Sequence, residues 1–540
     1  MRFISPHKIP HEGPLDAPLF FLGESPGSTE DELRRPFVGK SGDLLDIALE
    51  TYGLSRSDVR LGYVMNYNIV KNDFQKARSS EQLHESMTEL RAYLNNAQHK
   101  VIVAMGSAAL EFLTGHTYAE KHRGSVYRYE NFYVVPTISP DIVRINGAHS
   151  PGFLQDIGKA INIAKTGTWE EYSFNALIDP DLFQLEGLKD TICNASHLEV
   201  DIESKRDTTY IRCIGFAWSD TDAVCIYNDA PYVDGQSPIG PVFRRYVDMF
   251  LRCDAEKTFH NGMFDSIMLE ANGFEIHNWA YDTMVAQHVL QPELPIGLDY
   301  CTSIYTNLNY YKDDGKESGD RIDRRKLGLY NCKDVIATRL TRLAQQNEFD
   351  DVTRRYFEYK MKQIPIAKHF SLTGMYVDEE RREELRTKIS DAREKDMVMF
   401  LGIQQLIGVP EPFKVTQHQK VKDFLYGTLE LPKKMNSDGD LTADEDAIVS
   451  LIATVQKKLQ DLKTATARQM WEIRLATLKL LLRIRGQEKL LSSYINIELS
   501  MDGRARSWYK FWGTETGRWS AGSWHDGTGL NGQTIPRESV

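Results

Sequence analysis

The stretch Leu198–Ser204, LEVDIES, determines how the middle of this chain is expected to fold. Its apolar residues alternate with charged ones, which is the pattern of a β-strand. Asp201 and Glu203 lie two residues apart, so a strand would project both carboxyl groups from the same face. The stretch therefore predicts a strand that presents a pair of carboxylates on one face.

Two further acidic motifs follow in the same block of sequence. HNGMFDSIMLE begins at His260 and presents Asp265 on a predicted helix, and YNCKDVIATRL begins at Tyr330. On a helix, Tyr330 and Asp334 lie four residues apart and share one face. Four converging carboxylates would raise each other's pKa unless hard divalent ions with oxygen ligands neutralised them. Two such ions about 4 Å apart can activate a water and stabilise a leaving alkoxide.

Each motif alone is more typical of a solvated surface, but the ordered set resembles the DEDDy class of 3′→5′ exonucleases, including the proofreading domain of family A DNA polymerases. The similarity extends through YDTMVAQHVL and PIGLDYCTSIY, between the second and third motifs. The resemblance implies a ribonuclease H-like fold, a substrate end supported by Asn261 and an attacking water oriented by Tyr330. It also implies that two Mg²⁺ or Mn²⁺ ions are held by Asp201, Glu203, Asp265 and Asp334.

The composition is that of an ordinary globular protein without export signals. The 540 residues suggest about three domains. The sequence contains no run of about 18 apolar residues and no signal peptide, so we expect no membrane contact and a cytoplasmic location, in the host cell if the protein is viral. The six cysteines form no CxxC motif and are expected to be reduced.

The net charge of −11 conceals a basic segment. Residues 455–510 contain twelve lysine and arginine residues against five acidic ones. Such a segment is either a solvated helix face or an electrostatic footprint for nucleic acid phosphates. Both interpretations stay open on charge alone.

The last block resembles the segment that follows the exonuclease in family A DNA polymerases. The matching stretches are PFKVTQHQKVKDFLYGTLELP, TADEDAIVSLI, LLLRIRGQEKLLSSYI, TETGRWSA and GLNGQTIPRES. In that family the helical hairpin is the thumb, which grips the primer-template duplex. The resemblance implies that three side chains with hydrogen-bond donors contact DNA in the minor groove: Arg518, Asn531 and Gln533.

In that family the palm and fingers, with the polymerase carboxylates, come after these stretches. No DxSxxE or HDE motif occurs in residues 1–540. Because nucleotidyl transfer needs metal-binding carboxylates, we expect that this chain does not polymerise DNA alone. The expected partners are single-stranded 3′ ends, primer-template DNA and a separate polypeptide that supplies the palm and fingers. The alternatives are that a second exon or an intein-joined half encodes the palm and fingers, or that they were removed.

The first block contains LFFLGESPGSTEDELRRPFVGKSGDLLDIAL, YNIVK, VIVAMGSAALEFLTG and PTISPDIVR. These stretches resemble the uracil-DNA glycosylase superfamily, nearest to its iron–sulfur type. Such enzymes extrude a base into a pocket, stack it on an aromatic ring and bind its edge with an amide. The resemblance implies a pocket in which Phe37 is the ring and Asn68 the amide, with a wall formed by Gly23 and Glu24.

Two departures from that family bear on activity. Ser139 stands where the family has a histidine, and no cysteine precedes Cys193, so no iron–sulfur cluster is expected. A neutral hydroxyl is a weaker partner than imidazole for the charge on a departing uracil. The first block is therefore interpreted either as an excising enzyme or as a module that binds a base, a DNA end or the template.

The predicted fold class is multidomain α/β. We expect a glycosylase-like α/β domain at 1–168, a linker at 169–184, a ribonuclease H-like exonuclease domain at 185–345 and a mostly helical thumb region at 346–540. Two functions are compatible with this order. One is the exonuclease-bearing part of a replicative polymerase, and the other is a non-catalytic DNA-binding platform.

Overall fold

The structure, a computed structural model, describes residues 4–69, 74–206, 208–233, 236–316, 323–436, 439–524 and 528–535, without the side chains at 466 and 467. It forms two compact units, one comprising Met1–Ile364 and Thr514–Arg518, the other Pro365–Gly513 and Trp519–Val540. The glycosylase-like and exonuclease-like blocks both belong to the first unit. The last residues of the IPRES stretch, 536–540, lie outside the described residues.

The first block contains an α/β sheet. Its strands are β1 (Ile4–Lys8), β2 (Leu19–Gly23), β3 (Arg60–Tyr63), β4 (Tyr67–Ile69), β5 (Val101–Met105), β6 (Tyr127–Tyr129) and β7 (Phe132–Thr137). The five-stranded sheet has the order β3-β2-β5-β7-β6, in which only β6 is antiparallel to its neighbour. β2, β5 and β7 are continuously buried because helices cover both faces of the sheet.

Alternate strand residues separate two apolar cores, one beneath each face. Phe21 and Val103 belong to one core, and Phe20 and Ile102 belong to the other. The covering helices are α1 (Ser28–Leu33), α2 (Lys40–Thr51), α3 (Phe74–Ala77), α4 (Glu81–Leu94), α5 (Ser107–Thr114), α6 (Ala119–His122), α7 (Pro140–Ile145) and α8 (Ser150–Thr166). The predicted alternation of strands and helices is confirmed in this block.

The second block contains a six-stranded mixed sheet. Its strands are β8 (Asn175–Ile178), β9 (His197–Ser204), β10 (Ile211–Ala217), β11 (Asp222–Tyr227), β12 (Glu256–Phe259) and β13 (Trp279–Asp282), in the order β13-β12-β9-β10-β11-β8. β9, β10 and β11 are antiparallel, whereas β12 and β13 run parallel to β9. β8 lies within the stretch expected to be a linker, but it pairs in parallel with β11. Part of that stretch therefore belongs to the sheet.

The helices of this block are α9 (Leu182–Cys193), α10 (Pro241–Arg252), α11 (Gly262–Ala271), α12 (Thr283–Leu290), α13 (Leu298–Tyr305), α14 (Arg324–Glu348) and α15 (Asp351–Met361). α14 lies across β9, β10 and β11. Its close approach requires glycine at position 215, because a Cβ there would stand 2.5 Å from the Asn331 Oδ1 atom. Small residues on the sheet thus bring the YNCKD motif to the strand that carries DIE.

The remaining elements are mostly helical, as predicted. They are α16 (Ile364–Thr373), β14 (Met375–Tyr376), α17 (Glu379–Ile407), α18 (His418–Asp423), α19 (Glu445–Asp461), α20 (Ala465–Leu490), β15 (Arg504–Ala505), β16 (Trp508–Lys510) and β17 (Ser520–Gly522). An apolar core joins α17, α19 and α20 around Phe400, Leu451 and Leu481. None of the helices in the described part of the chain is both long and apolar enough to cross a membrane.

Candidate functional site

Strand β9 presents two carboxylates on the face of the sheet that α14 covers. Asp201 and Glu203 pair with Gly215 and Cys213 of β10, so all four residues point to this face. Ile202, between the two acids, is buried in the core on the opposite face. Ligand oxygens of Asp201, Glu203 and Asp334 all lie within 4.8 Å of one another. The structure thus brings together three of the four predicted metal ligands.

The fourth predicted ligand, Asp265, approaches the same strand from α11. Its Oδ1 atom accepts a hydrogen bond from the backbone N–H of Ile202 at 3.1 Å. The turn that starts α11 is held by Asp282, whose carboxylate accepts the N–H groups of Asn261 and Gly262. Asn261 adopts a left-handed conformation with φ 62°. Asp265 is therefore beside the three-carboxylate group without being one of its members.

Asp201 is oriented by Asn331, the residue after Tyr330. The Asn331 amide donates to the Asp201 Oδ2 atom at 2.7 Å and to the backbone carbonyl of Asp201 at 3.1 Å. The sequence reasoning missed Asn331, although it lies three residues before Asp334 and so shares its helical face. This amide fixes the carboxylate on β9 relative to the carboxylate on α14.

Asp334 is held by two side chains from the segment between α13 and α14. The Tyr311 hydroxyl donates to the Asp334 Oδ1 atom at 2.7 Å, and the Lys312 ammonium contacts the same oxygen at 2.6 Å. Lys312 Nζ also lies 3.4 Å from the hydroxyl of Tyr330. The sequence reasoning missed both residues, and their spacing from the acidic motifs contains no signal that identifies them. Lys312 thus supplies a positive charge between Asp334 and Tyr330.

The electrostatics of this group favour cation binding. Burial raises the pKa of Asp201 well above its usual range, and the carboxylates of Asp334 and Asp265 raise it further. Burial, together with Asp201, raises the pKa of Glu203 in the same way. Burial raises the pKa of Asp265 to about 8 despite the N–H of Ile202. Lys312 lowers the pKa of Asp201 and of Glu203 without cancelling the effect of burial, so oxygen-seeking divalent cations fit these carboxylates.

Tyr330 lies at the edge of the acidic group. Its ring contacts Tyr311 edge to face at 5.9 Å between centroids. A Cβ at Gly315 would stand 2.8 Å from the Tyr330 ring, so the absence of a side chain at position 315 makes room for it. Burial, followed by the Asp334 carboxylate, raises the pKa of Tyr330, and the phenol therefore remains a neutral hydrogen-bonding group.

The first block contains a cavity of about 330 Å³ at the ends of β2, β3 and β5. Four of the five residues predicted for a base pocket line it: Gly23, Glu24, Phe37 and Ser139. The fifth, Asn68, is not among the described lining residues, and its amide donates to the Pro26 carbonyl at 2.8 Å.

The aromatic side of this cavity is built by Phe37 and Tyr63. Their ring centroids are 4.6 Å apart, and the Tyr63 hydroxyl accepts the backbone N–H of Phe37 at 2.9 Å. Phe37 has φ 52°, a left-handed conformation that is uncommon for a bulky residue. Gly23 is required beneath the ring, because a Cβ there would stand 2.8 Å from Phe37.

Two of the three polar residues predicted for the pocket, Glu24 and Ser139, are engaged with helix ends. Glu24 Oε1 accepts the N–H of Ala108 at 2.8 Å in the first turn of α5. Burial raises the pKa of Glu24, whereas the N–H groups of Ala108 and Ser107 lower it. Ser139 is the N-cap of α7, and its hydroxyl accepts the N–H of Asp141 at 3.4 Å.

The three residues predicted to contact primer-template DNA are placed in different units. Arg518 belongs to the first unit and is exposed, and its carbonyl accepts the Thr514 hydroxyl at 3.0 Å. Asn531 and Gln533 belong to the second unit. The Asn531 side chain accepts the N–H of Gln533 at 3.1 Å, and the Gln533 amide donates to the Trp519 carbonyl at 3.1 Å.

The structure thus places a lined pocket in the first block and a group of converging carboxylates in the second. Family models match the uracil DNA glycosylase superfamily over residues 10–157 and a 3′-5′ exonuclease over residues 180–349. A type-4 uracil-DNA glycosylase of Thermotoga maritima is 32% identical over 159 residues, which cover 28% of this chain and 81% of that protein.

Polymerases match a longer stretch of the chain. The DNA polymerase of Bacillus phage SP01 is 23% identical over 307 residues, which cover 50% of this chain and 32% of the polymerase. DNA polymerase I of Chloroflexus aurantiacus is 25% identical over 322 residues, covering 56% of this chain and 31% of that protein. The chain thus spans about a third of the length of these two polymerases.

The chain belongs to the uracil-DNA glycosylase superfamily through its first domain, and its second domain is a 3′-5′ exonuclease domain homologous to those of phage and bacterial family A DNA polymerases. The predicted resemblance and the predicted α/β fold class are both confirmed.

Proposed function

We propose that the chain degrades DNA from its 3′ end as the proofreading part of a family A DNA polymerase. The observation that carries this proposal is the group of three carboxylates within 4.8 Å, supplied by β9 and α14. Three hard oxygen ligands at this spacing fit Mg²⁺ or Mn²⁺ better than any softer metal.

The proposed roles follow from the positions of the side chains. Bound divalent ions would lower the pKa of a water and stabilise the leaving 3′-oxygen. Tyr330, at the edge of the carboxylates, would orient that water with its neutral hydroxyl. Asn261, in the turn held by Asp282, would support the terminal nucleotide. Each turnover would add one water across a phosphodiester bond and release a nucleoside 5′-monophosphate and a strand shortened by one nucleotide.

The test is the degradation of a 5′-labelled single strand in Mg²⁺ by the full chain. We expect stepwise shortening by the wild type and none by Asp201→Ala/Glu203→Ala. Equal shortening by the double variant would assign the activity to a contaminant and overturn the proposal. EDTA should stop the reaction in the wild type.

We further propose that residues 346–540 bind primer-template DNA as a thumb. The support is the basic segment 455–510 together with Arg518, Asn531 and Gln533, which have donors suited to minor-groove acceptors. Fluorescence anisotropy of a labelled primer-template in EDTA should show binding by the full chain that weakens as salt rises. Absence of binding would overturn this proposal.

For the first domain we propose base or template recognition without excision. The observation that favours this is the engagement of Glu24 and Ser139 with the starts of α5 and α7. Both groups are therefore less available to assist a leaving base. In EDTA, which silences the nuclease, a uracil oligonucleotide treated with the chain and then with alkali should stay intact. Alkali-labile breaks that Asn68→Ala abolishes would show excision and overturn this proposal.

A further inference from the structure

The segment 308–313, between α13 and α14, contacts both domains of the first unit. One side of it faces the acidic group, where Tyr311 and Lys312 both contact the Asp334 Oδ1 atom. Tyr311 is buried with 4% of its surface exposed, and its hydroxyl donates to Asp334 from within this segment. The position of Asp334 therefore depends on where this segment lies.

The other side of the segment is bound by the glycosylase-like domain. The Ser125 hydroxyl accepts the backbone N–H of Tyr310 at 2.9 Å, and the Asn309 side-chain carbonyl accepts the backbone N–H of Val126 at 2.8 Å. The ring of His122 packs edge to face on Tyr310 with centroids 4.8 Å apart. These contacts fall on the two residues immediately before Tyr311 and Lys312.

The glycosylase-like side of this contact is rigid. Arg123, next to Ser125, forms a buried ion pair with Asp156 at 3.1 Å and donates to the Ser303 hydroxyl of α13 at 2.6 Å. A Cβ at Gly124, which has φ +77°, would stand 2.4 Å from the Ser303 carbonyl. The turn 123–126 is thus fixed both to its own domain and to the helix that precedes the segment.

We propose that the glycosylase-like domain is a positioning element of the exonuclease centre: its turn 123–126 holds segment 308–313, whose Tyr311 and Lys312 in turn hold Asp334. This inference rests on the proposed exonuclease function. Ser125 and Asn309 are positioning residues, because they act on Asp334 only through the segment. Partners of metal ligands commonly change metal affinity when they are altered, although they touch no metal.

Ser125→Ala in the full chain tests the proposal. Ser86→Ala is the matched control, because Ser86 is an equally buried serine of the same domain whose hydroxyl accepts the backbone N–H of Asn66 at 3.1 Å. Both variants lose one buried acceptor of a backbone N–H, and their thermal stabilities should fall by similar amounts. Affinity for Mn²⁺ alone is measured by titration calorimetry, and kcat and KM are measured on a labelled single strand.

We expect Ser125→Ala to weaken Mn²⁺ binding and to lower kcat, each by about threefold to tenfold, with KM nearly unchanged. Ser86→Ala should change neither Mn²⁺ binding nor kcat. Lys121→Glu is a second variant, and it breaks no buried hydrogen bond because the side chain of Lys121 is exposed. The Lys121 ammonium lies 3.5 Å from the carboxylate of Asp313 in the segment. This variant should act in the same direction with a smaller effect, and Lys165→Glu, on the exposed end of α8, is its control.

The outcomes separate this inference from the exonuclease function. Equal Mn²⁺ affinities and rates for Ser125→Ala and Ser86→Ala, with an active wild type, overturn the positioning role and leave the nuclease intact. A wild type that degrades no DNA, yet binds Mn²⁺ in a manner that depends on both Asp201 and Ser125, supports the positioning role and overturns the nuclease. A wild type that binds no Mn²⁺ at the carboxylates overturns both.

Discussion

Asp201, within strand β9, and Glu24, directly after strand β2, are acidic residues of neighbouring domains, and their surroundings differ in kind. The carboxylate of Glu24 accepts N–H groups from the first turn of α5, which lower its pKa against the effect of burial. The carboxylate of Asp201 faces Asp334 and Asp265, which add to the effect of burial. Backbone donors satisfy Glu24 without any cation, whereas Asp201 is left for a cation to neutralise.

By this difference Glu24 is a structural acid and Asp201 is an acid suited to metal binding, although both lie in motifs of their families. A carboxylate that accepts backbone N–H groups is stabilised in its charged form within the fold. A carboxylate surrounded by others stores repulsion that a metal ion relieves on binding. The partners of an acid therefore say more about its role than its pKa shift, which has the same direction in both cases.

The largest expected effect comes from removing a carboxylate of the proposed metal group, which consists of Asp201, Glu203 and Asp334. Asp201→Ala should lower the rate of 3′ degradation by about a thousandfold or more, because metal ions supply several kcal/mol of transition-state stabilisation. Glu24→Gln should leave that rate unchanged. The measurement is single-turnover decay of a labelled strand in Mg²⁺. A comparable loss in both variants would remove the distinction drawn between the two acids.

The second prediction concerns pH. The pKa of Asp265 is raised from 3.8 to about 8, and those of Asp201 and Glu203 are raised too. Between about pH 4 and pH 8 the folded protein therefore binds more protons than the unfolded chain, so in EDTA the free energy of unfolding should fall as pH rises. Mg²⁺ should offset this fall, because it neutralises the ionised carboxylates.

Thermal unfolding across this pH range, with EDTA or with Mg²⁺, measures the effect. Asp265→Asn should reduce the gap between the two conditions at high pH. Glu24→Gln should leave that gap as it is, because no metal is expected at Glu24. A gap that responds to Glu24 and ignores Asp265 would contradict the proposal that a metal ion binds to the carboxylates beside Asp265.

Much of the exonuclease site could be predicted from local spacing. Alternation in LEVDIES placed Asp201 and Glu203 on one face of β9, and the four-residue spacing of Tyr330 and Asp334 placed both on one face of α14. Tyr311 could not be found this way, because it reaches Asp334 across 23 residues from a segment without periodicity. The same holds for Lys312.

The remaining surprises have similar physical causes. The bond from Ala108 to Glu24 spans 84 residues, so the GESPG motif by itself suggested only a pocket wall. The longest helix, α17 at 29 residues, is rich in charges and carries few buried residues, which leaves a weak apolar pattern in the sequence. α20 begins at Ala465, after Thr464 as its N-cap.

The third prediction tests the structural side of the comparison. Glu24→Ala should lower the free energy of unfolding by about 2 kcal/mol, because it leaves part-buried N–H groups at the start of α5 without this acceptor. Glu24→Gln should cost less, since an amide oxygen can still accept. Chemical denaturation of the full chain in EDTA measures both. Equal stability of Glu24→Ala and the wild type would mean that water replaces the carboxylate and that Glu24 is free for another role.

The smallest expected effect concerns the aromatic side of the pocket. Tyr63→Phe removes the acceptor for the backbone N–H of Phe37, a residue with a left-handed backbone at φ 52°. The variant therefore loosens the Phe37 ring. We expect a loss of about 1 kcal/mol in stability and an affinity for a uracil-containing single strand that is lower by about threefold, since stacking depends on a fixed ring. Fluorescence anisotropy in EDTA, with a thymine strand as the comparison, measures the binding.

Nuclease activity in Mg²⁺ should stay at the wild-type level, because Tyr63 contacts neither the carboxylates nor segment 308–313 in the described structure. A variant that lost nuclease activity together with uracil affinity would show that the pocket and the metal group are coupled, and the two acids would then have to be treated as parts of one site.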